Sequence, residues 1–468
     1  MIERRSQHHV PAADAVLFLP LGGTGEIGMN LSLYGHNGRW LIVDTGITFG
    51  NDAFPDYDVM MADTAFIEGY RDRLDGIVLT HAHEDHLGAL PYLWRRLRCP
   101  VYATAFTAAL ARIKLNRAGL ENVPLIEIGI GETFSVGPFR VETIGMTHSI
   151  PEPNALLIST AAGAVLHTGD WKLDPKPVIG ATFDKRRLID LRREPLLAMV
   201  CDSTNAVVPG STGSESSLFE PLKDVVEQAA GRIVVTSFAS NVARLVTLAR
   251  VAEATGRRFG VIGQAMERMV GVAQATGYWP EALPRLVPGR DLGYLPRDEV
   301  MVACTGSQGE PRSALARLAT DSHRDLLLEH GDTVVFSSRL IPGNEKAVER
   351  VESRLQALGV KLIREGDAHV HVSGHPAQDD LRRLYGWVQP TWVIPVHGTP
   401  RHLAANATIA RDCHATPLLI SNGDLCRLSH HRAAVIDQVE NGRLSPDRDG
   451  LLLPVPGSAL QRMRTAAA

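Results

Sequence analysis

The chain has 468 residues, of which 44% are apolar and 21% charged, and its net charge is −4 at pH 7. This length exceeds that of one compact domain and predicts two or three. No apolar run is long enough to span a bilayer, so we expect no membrane association. Five scattered cysteines without a CxxC pair, and the lack of a signal peptide at residues 1–10, favour the cytoplasm. The negative charge argues against a protein that coats nucleic acid non-specifically, although it permits a local basic channel.

A glycine-rich segment follows the first predicted strand, residues 15–21. Its glycines, Gly23, Gly25 and Gly28, have the GxGxxG spacing of dinucleotide-binding folds. That motif requires a helix directly after the glycines. Here residues 31–34 and 40–43 are typical of the two strands of a hairpin. We therefore predict neither a Rossmann fold nor a nucleotide cofactor.

The densest group of ligand-capable side chains lies on a predicted loop between a strand at residues 77–80 and a helix at residues 87–97. The group consists of His81, His83, Glu84, Asp85 and His86. Imidazole and carboxylate are ligands that suit zinc and its neighbours. Two adjacent metals can activate water and hold both oxygens of a phosphoryl displacement. The alternative is a polar helix start with exposed histidines, which five such residues in six positions disfavour, so we predict a metal site.

Three further polar residues follow predicted strands in the same way. Asp44 ends the hairpin, His148 follows an apolar run, and Asp170 follows another. Singly, each would be interpreted as a turn or structural residue. Together with the histidine cluster they predict one site, in which Asp44 would orient a ligand histidine.

The order of Asp44, His81-x-His83-x-Asp85-His86, His148 and Asp170 resembles the successive motifs of the metallo-β-lactamase fold. Further segments resemble the ribonuclease J family, in the β-CASP branch of that fold. They are LGGTGEIGMN at 21–30, CDSTN at 201–205, TSFASN at 236–241, GSQGEP at 306–311, IPGNE at 341–345, HVSGH at 371–375 and PVHG at 395–398. The resemblance implies an α/β fold, a metallo-β-lactamase αββα sandwich with an inserted α/β β-CASP domain.

The resemblance also implies roles for individual residues. Two divalent metal ions, zinc or manganese, would be held by His81, His83 and His148 and by Asp85, His86 and His397, with Asp170 bridging. Asp202 would be the general acid, and His375 would assist proton transfer. RNA phosphates, including a 5′-monophosphate, would contact Ser240, Asn241, His371, Val372, Ser373, Gly374 and His375.

Part of this phosphate pocket has independent chemical support. Residues 370–375 are predicted to form a strand, whose alternate side chains would share one face. Gly374 would let the backbone approach a phosphate closely. The hydroxyls of Ser240 and Ser373 and the amide of Asn241 offer donors without a strong positive charge. Such a pocket is expected to favour a 5′-monophosphate over a triphosphate.

The resemblance divides the chain into a first metallo-β-lactamase part, a β-CASP domain, a return segment and a C-terminal tail, at 1–212, 213–352, 353–435 and 436–468. Inside the second part, predicted strands at 233–236, 300–304 and 333–337 alternate with helical stretches. Family members commonly continue into a C-terminal domain linked to dimerisation. We expect that domain to be absent here, which leaves a homo-oligomer undecided.

We therefore expect a dinuclear-metal ribonuclease that acts in RNA decay and maturation. It would be a 5′-to-3′ exonuclease preferring 5′-monophosphate ends, with endonuclease activity in addition. One alternative is a catalytically silent RNA-binding or assembly subunit, against which the intact ligands and Asp202 argue. Another is a nuclease acting on DNA, because no motif senses a 2′-hydroxyl.

Overall fold

The structure is a computed structural model that describes residues 9–50, 53–341 and 343–458. The strands are β1 (Val16–Gly22), β2 (Leu31–His36), β3 (Arg39–Val43), β4 (Ile47–Phe49), β5 (Val59–Ala62), β6 (Leu74–Val78), β7 (Val101–Ala103), β8 (Leu125–Glu127), β9 (Thr133–Val136), β10 (Phe139–Gly145), β11 (Asn154–Thr160), β12 (Gly163–His167), β13 (Leu196–Asp202), β14 (Ile233–Thr236), β15 (Arg258–Ile262), β16 (Val300–Cys304), β17 (Thr333–Phe336), β18 (Lys361–Ile363), β19 (Trp392–Val396), β20 (Thr416–Pro417), β21 (Asp424–Leu428), β22 (Ala433–Gln438), β23 (Arg443–Pro446) and β24 (Leu452–Pro454). The helices are α1 (Ala65–Glu68), α2 (Glu84–Leu87), α3 (Leu90–Leu97), α4 (Ala105–Arg117), α5 (Lys185–Asp190), α6 (Phe219–Glu227), α7 (Val242–Ala254), α8 (Gln264–Ala275), α9 (Ala314–Leu318), α10 (Glu345–Ala357), α11 (Gln378–Val388) and α12 (Pro400–Asp412).

Two sheets pack face to face and form what we call the sandwich. One has the strand order β22-β21-β1-β2-β3-β6-β7-β8 and the other β20-β19-β13-β12-β11-β10-β9. Alternation along β1 shows how the layers arise, because successive side chains of a strand point to opposite faces. Phe18 packs between the sheets with Ile158 and Val200, whereas Leu19 lies in the same apolar cluster as Leu93 of α3.

Helices α5, α11 and α12 supply the apolar layer on the outer face of the second sheet, with Leu188, Leu384 and Ile409. The sandwich is therefore covered by helices on both sides. This arrangement confirms the predicted αββα architecture.

A separate five-stranded parallel sheet, with the order β15-β16-β14-β17-β18, forms the insert together with α6 to α10. Its strands are buried on both faces, as expected for a parallel sheet. Val235 packs with Leu245 of α7, and Val234 packs on the other side with Leu355 of α10. The predicted strands at 233–236 and 300–304 are confirmed, and the third ends one residue early, at Phe336.

At two of the predicted domain limits, the strand pairing places the boundary elsewhere. Residue 352, the predicted end of the insert, lies inside α10, and β18 beyond it pairs with β17. Residues 436–458 also do not form a tail, because β22 pairs with β21 and β23 pairs with β5 near the start of the chain. The sequence did not reveal these pairings because each depends on a distant strand edge.

Strand β2 follows the glycine-rich segment and pairs antiparallel with β1, which agrees with the rejection of a dinucleotide-binding motif. Within the described ranges, no helix is both long and apolar enough to cross a membrane.

Candidate active site

The predicted site residues gather at one edge of the sandwich, at the carboxyl ends of strands from both sheets. Five groups follow strands, namely β3 (Asp44), β6 (His81 to His86), β10 (His148), β12 (Asp170) and β19 (His397), and Asp202 is the last residue of β13. Strands β3 and β6 run parallel, as do β12, β13 and β19. Their carboxyl ends therefore meet at a common edge, as in other α/β folds.

Three imidazoles converge on one point of this edge. His83 Nδ1 lies 3.1 Å from His81 Nε2 and 3.0 Å from His148 Nε2, and Asp170 Oδ2 lies 3.9 Å and 3.8 Å from those two Nε2 atoms. Nitrogens sharing a tetrahedral zinc lie roughly 3.3 Å apart. Burial lowers the pKa of His83 to about 4 and the pKa of His81 and His148 well below the usual value. The rings are therefore neutral near pH 7, as metal ligands must be.

A second group shares Asp170 with the first. His86 Nε2 lies 3.2 Å from Asp170 Oδ2, and His397 Nε2 lies 3.1 Å from Asp85 Oδ2. Burial disfavours charge on both rings, but the surrounding carboxylates outweigh it. They raise the pKa of His86 well above its usual value and the pKa of His397 to about 10. The carboxylates thus need positive charge beside them, which a divalent cation would supply. The donor sets Asp85, His86, Asp170, His397 and His81, His83, His148, Asp170 each fit one metal ion.

Asp44 fixes the orientation of His86. Its Oδ2 accepts hydrogen bonds of 2.8 Å from His86 Nδ1 and from the Thr80 hydroxyl, and its Oδ1 accepts one of 2.8 Å from the Thr80 backbone N–H. His86 therefore turns Nε2 toward the second group. This geometry is what the predicted orienting role of Asp44 requires.

Asp202 and His375 form a hydrogen-bonded pair beside the two groups. Asp202 is buried, and its Oδ2 lies 2.9 Å from His375 Nδ1. Burial opposes the charge on each partner. The attraction between them nevertheless lowers the pKa of Asp202 below the usual range and raises that of His375. Within the pair, a proton is therefore favoured on the imidazole over the carboxylate of Asp202.

Thr204 is a contributor that sequence analysis missed. Its hydroxyl lies 2.7 Å from Asp202 Oδ1 and 2.9 Å from His397 Nδ1. It thus connects the proton-transfer pair with a predicted metal ligand. The CDSTN motif contains this threonine, but its contact with His397 spans 193 residues, so no local pattern could reveal it.

Residues 370–375, which we call the pocket segment, do not form the predicted strand. Side chains hold this segment instead, as it passes between the insert and the sandwich. His148 Nδ1 lies 2.6 Å from the Gly374 carbonyl oxygen, and a Cβ at Gly374 would lie 2.6 Å from the His148 ring. Glycine is therefore required here by a predicted metal ligand, whatever its contact with phosphate.

The other predicted phosphate residues occupy two places. His371 and Val372 are buried in the pocket segment, and His371 Nδ1 has no hydrogen-bond partner among the described residues. Asn241 caps α7, with its Oδ1 accepting from the Arg244 N–H at 2.9 Å, and Ser240 precedes it. The cap uses Oδ1 of Asn241, and the amide Nδ2 is the remaining donor of this side chain.

Near the predicted phosphate pocket lies a positive charge that the sequence analysis did not include. Arg339 Nη1 donates to Asn205 Oδ1 at 3.1 Å, and Asn205 Nδ2 donates to Ser373 Oγ at 2.8 Å. An exposed guanidinium therefore lies two hydrogen bonds from the pocket serine. Arg339 comes shortly after β17. Its position after a predicted strand was the only feature of the sequence that could have indicated a place near the pocket.

The glycine-rich segment holds the backbone of His397 through a hydrogen bond. The His397 N–H donates to the Gly23 carbonyl at 2.6 Å. Asn422 accepts from the Thr24 N–H at 2.9 Å and donates to Glu26 at 2.7 Å. Arg443 of β23 donates to the other Glu26 oxygen at 2.6 Å. Asn422 and Arg443 thus hold the segment that hydrogen-bonds to the predicted ligand His397.

Family models match most of this architecture. A model of the metallo-β-lactamase superfamily matches residues 25–182, one of the ribonuclease J β-CASP domain matches residues 230–355, and one of the RNA specificity domain of zinc-dependent metallo-hydrolases matches residues 367–412. These matches define a metallo-β-lactamase-fold protein with an inserted β-CASP domain.

Relatives match over almost the whole chain. A ribonuclease J of Sinorhizobium meliloti is 43% identical over 459 residues, which are 97% of this chain and 81% of the relative. A ribonuclease J of Mycolicibacterium smegmatis is 39% identical over 443 residues, 94% of this chain and 79% of the relative. The chain belongs to the ribonuclease J family.

A solved structure shares the fold at low identity. It is a protein of unknown function from Enterococcus faecalis V583, with a TM-score of 0.61 and 16% identity over 88% of this chain and 100% of that one. At this identity the likeness concerns the fold alone.

Proposed function

We propose that this protein is a metal-dependent ribonuclease that hydrolyses RNA phosphodiesters with two divalent ions, zinc or manganese. The observation that carries the proposal is the pair of ligand groups sharing Asp170, with the Asp202–His375 pair directly beside them. Two such ions would activate water and neutralise charge on the phosphate. The RNA substrate is supported by the relatives named ribonuclease J.

The residues divide into holding and proton-transfer roles. His81, His83 and His148 would hold one ion, Asp85, His86 and His397 the other, and Asp170 would lie between them. Asp202 and His375 would together deliver a proton to the leaving oxygen. Because a proton is favoured on His375 in this pair, we propose that His375 donates the proton and that Asp202 holds the imidazole ring of His375 in place.

We further propose 5′-to-3′ exonuclease action on 5′-monophosphate ends, with internal cleavage as a second activity. The terminal phosphate would lie between the Ser240–Asn241 turn and the pocket segment. The buried, unpartnered His371 Nδ1 and the nearby Arg339 support an anionic ligand there. Arg339 adds a positive charge near the neutral donors of this pocket, and a compact dianion can pair with one guanidinium.

The test uses purified protein and 5′-labelled RNA and matched DNA, each with a 5′-monophosphate, 5′-triphosphate or 5′-hydroxyl end. We expect stepwise shortening of 5′-monophosphate RNA, slow attack on the triphosphate end and little cleavage of DNA. Equal rates on RNA and DNA would show that the protein is a general nuclease and would contradict the proposed preference for RNA. RNA binding without cleavage, after zinc or manganese is supplied, would indicate the silent subunit.

A further inference from the structure

Arg244 is a fully buried arginine at the place where the chain enters and leaves the insert. Its side chain is 0% exposed. The guanidinium pairs with Glu215 of the entering segment through Nε and, at 3.1 Å, through Nη2. Its Nη1 donates to the Ser337 carbonyl and hydroxyl oxygens, each at 2.6 Å, and to the Val370 carbonyl at 3.2 Å. One side chain therefore joins the two connections and the end of β17.

The same residue touches both halves of the proposed phosphate pocket. Its backbone N–H donates to Asn241 Oδ1, and its guanidinium holds the carbonyl of Val370, the first residue of the pocket segment. The Ser337 hydroxyl also donates to the Val370 carbonyl, at 2.7 Å. The turn at Asn241 is thus connected to the pocket segment through one buried side chain.

The other end of the pocket segment is fixed to the sandwich. Asn205 Nδ2 donates to Ser373 Oγ at 2.8 Å and to the His375 carbonyl at 3.2 Å, and the Thr212 hydroxyl donates to the same carbonyl at 2.6 Å. The segment is therefore held by the insert at Val370 and by the sandwich at His375. Few residues separate the two attachments, so the position of one limits that of the other.

The cost of burying an ion pair indicates that Arg244 has a task beyond stability. Taking two charges out of water costs as much as their attraction returns, and apolar replacements of such pairs are often as stable. An arginine is nevertheless suited to this place, because its planar fork can serve a carboxylate and several carbonyls at once, which lysine cannot.

We propose that Arg244 is a positioning residue that couples a phosphate at the Ser240–Asn241 turn to the placement of His375. A 5′-phosphate bound there would order the start of α7, and Arg244 would carry this order to the pocket segment. The inference rests on the proposed function. Its consequence is that the terminal phosphate raises turnover as well as affinity.

The test compares Arg244→Lys and Ser337→Ala with the wild-type protein. Arg244→Lys keeps a charge for Glu215 but cannot also reach Ser337 and Val370. Ser337→Ala removes one donor to Val370 and leaves the ion pair, so it serves if the first variant does not fold. Arg232→Lys is the matched control, because Arg232 is also buried in the insert but bonds to Leu327 and lies near Asp332, at the opposite end of the sheet.

Two readouts are needed. The first is the ratio of kcat on 5′-monophosphate RNA to kcat on the same RNA with a 5′-hydroxyl. The second is hydrogen exchange of residues 369–377 with and without a nucleoside 5′-monophosphate. We expect at least a tenfold fall in the ratio for Arg244→Lys, a smaller fall for Ser337→Ala and none for Arg232→Lys, with metal content unchanged. Ligand-induced protection of residues 369–377 should be lost in Arg244→Lys and kept in Arg232→Lys.

A variant that loses thermal stability but keeps both the ratio and the protection would reduce Arg244 to a structural role and overturn the inference. If the wild-type protein shows no preference for the monophosphate end, the proposed end recognition fails, and the exchange experiment decides the coupling separately. Protection in the wild-type protein that Arg244→Lys abolishes would still support the coupling. No protection in the wild-type protein would reject it.

Discussion

At the scale of single residues, the site is a set of buried groups whose charges are balanced by one another. Asp170 lies between the two ligand groups, and Asp202 lies between His375 and Thr204. The pKa directions follow this placement. Imidazoles surrounded by imidazoles are neutral, whereas His397, surrounded by carboxylates, is not. All of these rings are largely buried, so neighbouring charge is what separates the imidazoles of the first ligand group from those of the second group and from His375.

The residue-scale prediction concerns Asp202. Asp202→Asn should keep both metal ions, because neither proposed ligand group needs this carboxylate. Turnover should fall on the order of 10²- to 10⁴-fold, since Asp202 places the ring of His375 and a positioned acid–base group contributes that much. Metal analysis and initial rates on RNA check the two parts separately. Loss of metal in this variant would show that Asp202 is itself a ligand, a role that its contact with the second group would then explain.

At the scale of elements, the loops that carry the site are positioned by strands far away in the chain. The glycine-rich loop between β1 and β2 supports His397, and Arg443 of β23 holds that loop through Glu26. Both members of this ion pair are largely buried. Burial raises the pKa of Glu26 and Arg443 partly offsets the effect, so Glu26 depends on its partner to stay ionised.

The element-scale prediction is that Arg443→Met weakens metal binding at the group containing His397. Removing one member of a buried pair costs about 3–5 kcal/mol of stability, and losing an outer support typically costs about 10- to 100-fold in metal affinity. Titration of metal-stripped protein with zinc, followed by calorimetry, measures the affinity. Arg427→Met is the control, because Arg427 also lies in a C-terminal strand but pairs with Asp14 at the surface. An equal effect of both substitutions would mean that the loop does not depend on Arg443.

At the scale of the whole molecule, the site lies where the sandwich and the insert meet. Arg244 joins them on one side. A separate contact is made by Tyr278, which follows α8: its hydroxyl donates to Glu152 at 3.0 Å and its ring packs against Phe106. Glu152 also accepts from the Phe106 N–H at 2.7 Å. The insert is therefore attached to the sandwich at more than the two chain crossings.

The prediction at this scale is that divalent metal stabilises the folded chain as a whole. Its proposed ligands come from four different strand ends, those of β6, β10, β12 and β19, so a bound ion should join elements that are distant in sequence. Zinc added to metal-stripped protein should raise the thermal midpoint of unfolding. At a free zinc concentration of 100 to 1,000 times the dissociation constant, binding adds about 3–4 kcal/mol to the free energy of unfolding. Differential scanning calorimetry measures this shift. Asp170→Asn should show a much smaller rise, and a rise equal to that of the wild-type protein would place the stabilising metal elsewhere.

The sequence by itself determined which residue types could bind metal, their order, and the family they resemble. It also predicted the insert strands at 233–236 and 300–304 and excluded a dinucleotide motif. These features were accessible because they depend on short-range patterns: ligand spacing in a loop, apolar runs, and the element following a glycine turn.

Only the tertiary structure revealed the groups that position the site. The contact of Thr204 with His397 spans 193 residues, that of Arg339 with Asn205 spans 134, and that of Arg443 with Glu26 spans 417. The pocket segment looked like a strand because its side chains alternate, but side chains of two domains hold it in place of a neighbouring strand. Such contacts arise when sheets and domains pack. The local periodicity of a segment does not specify which distant surface that segment will contact.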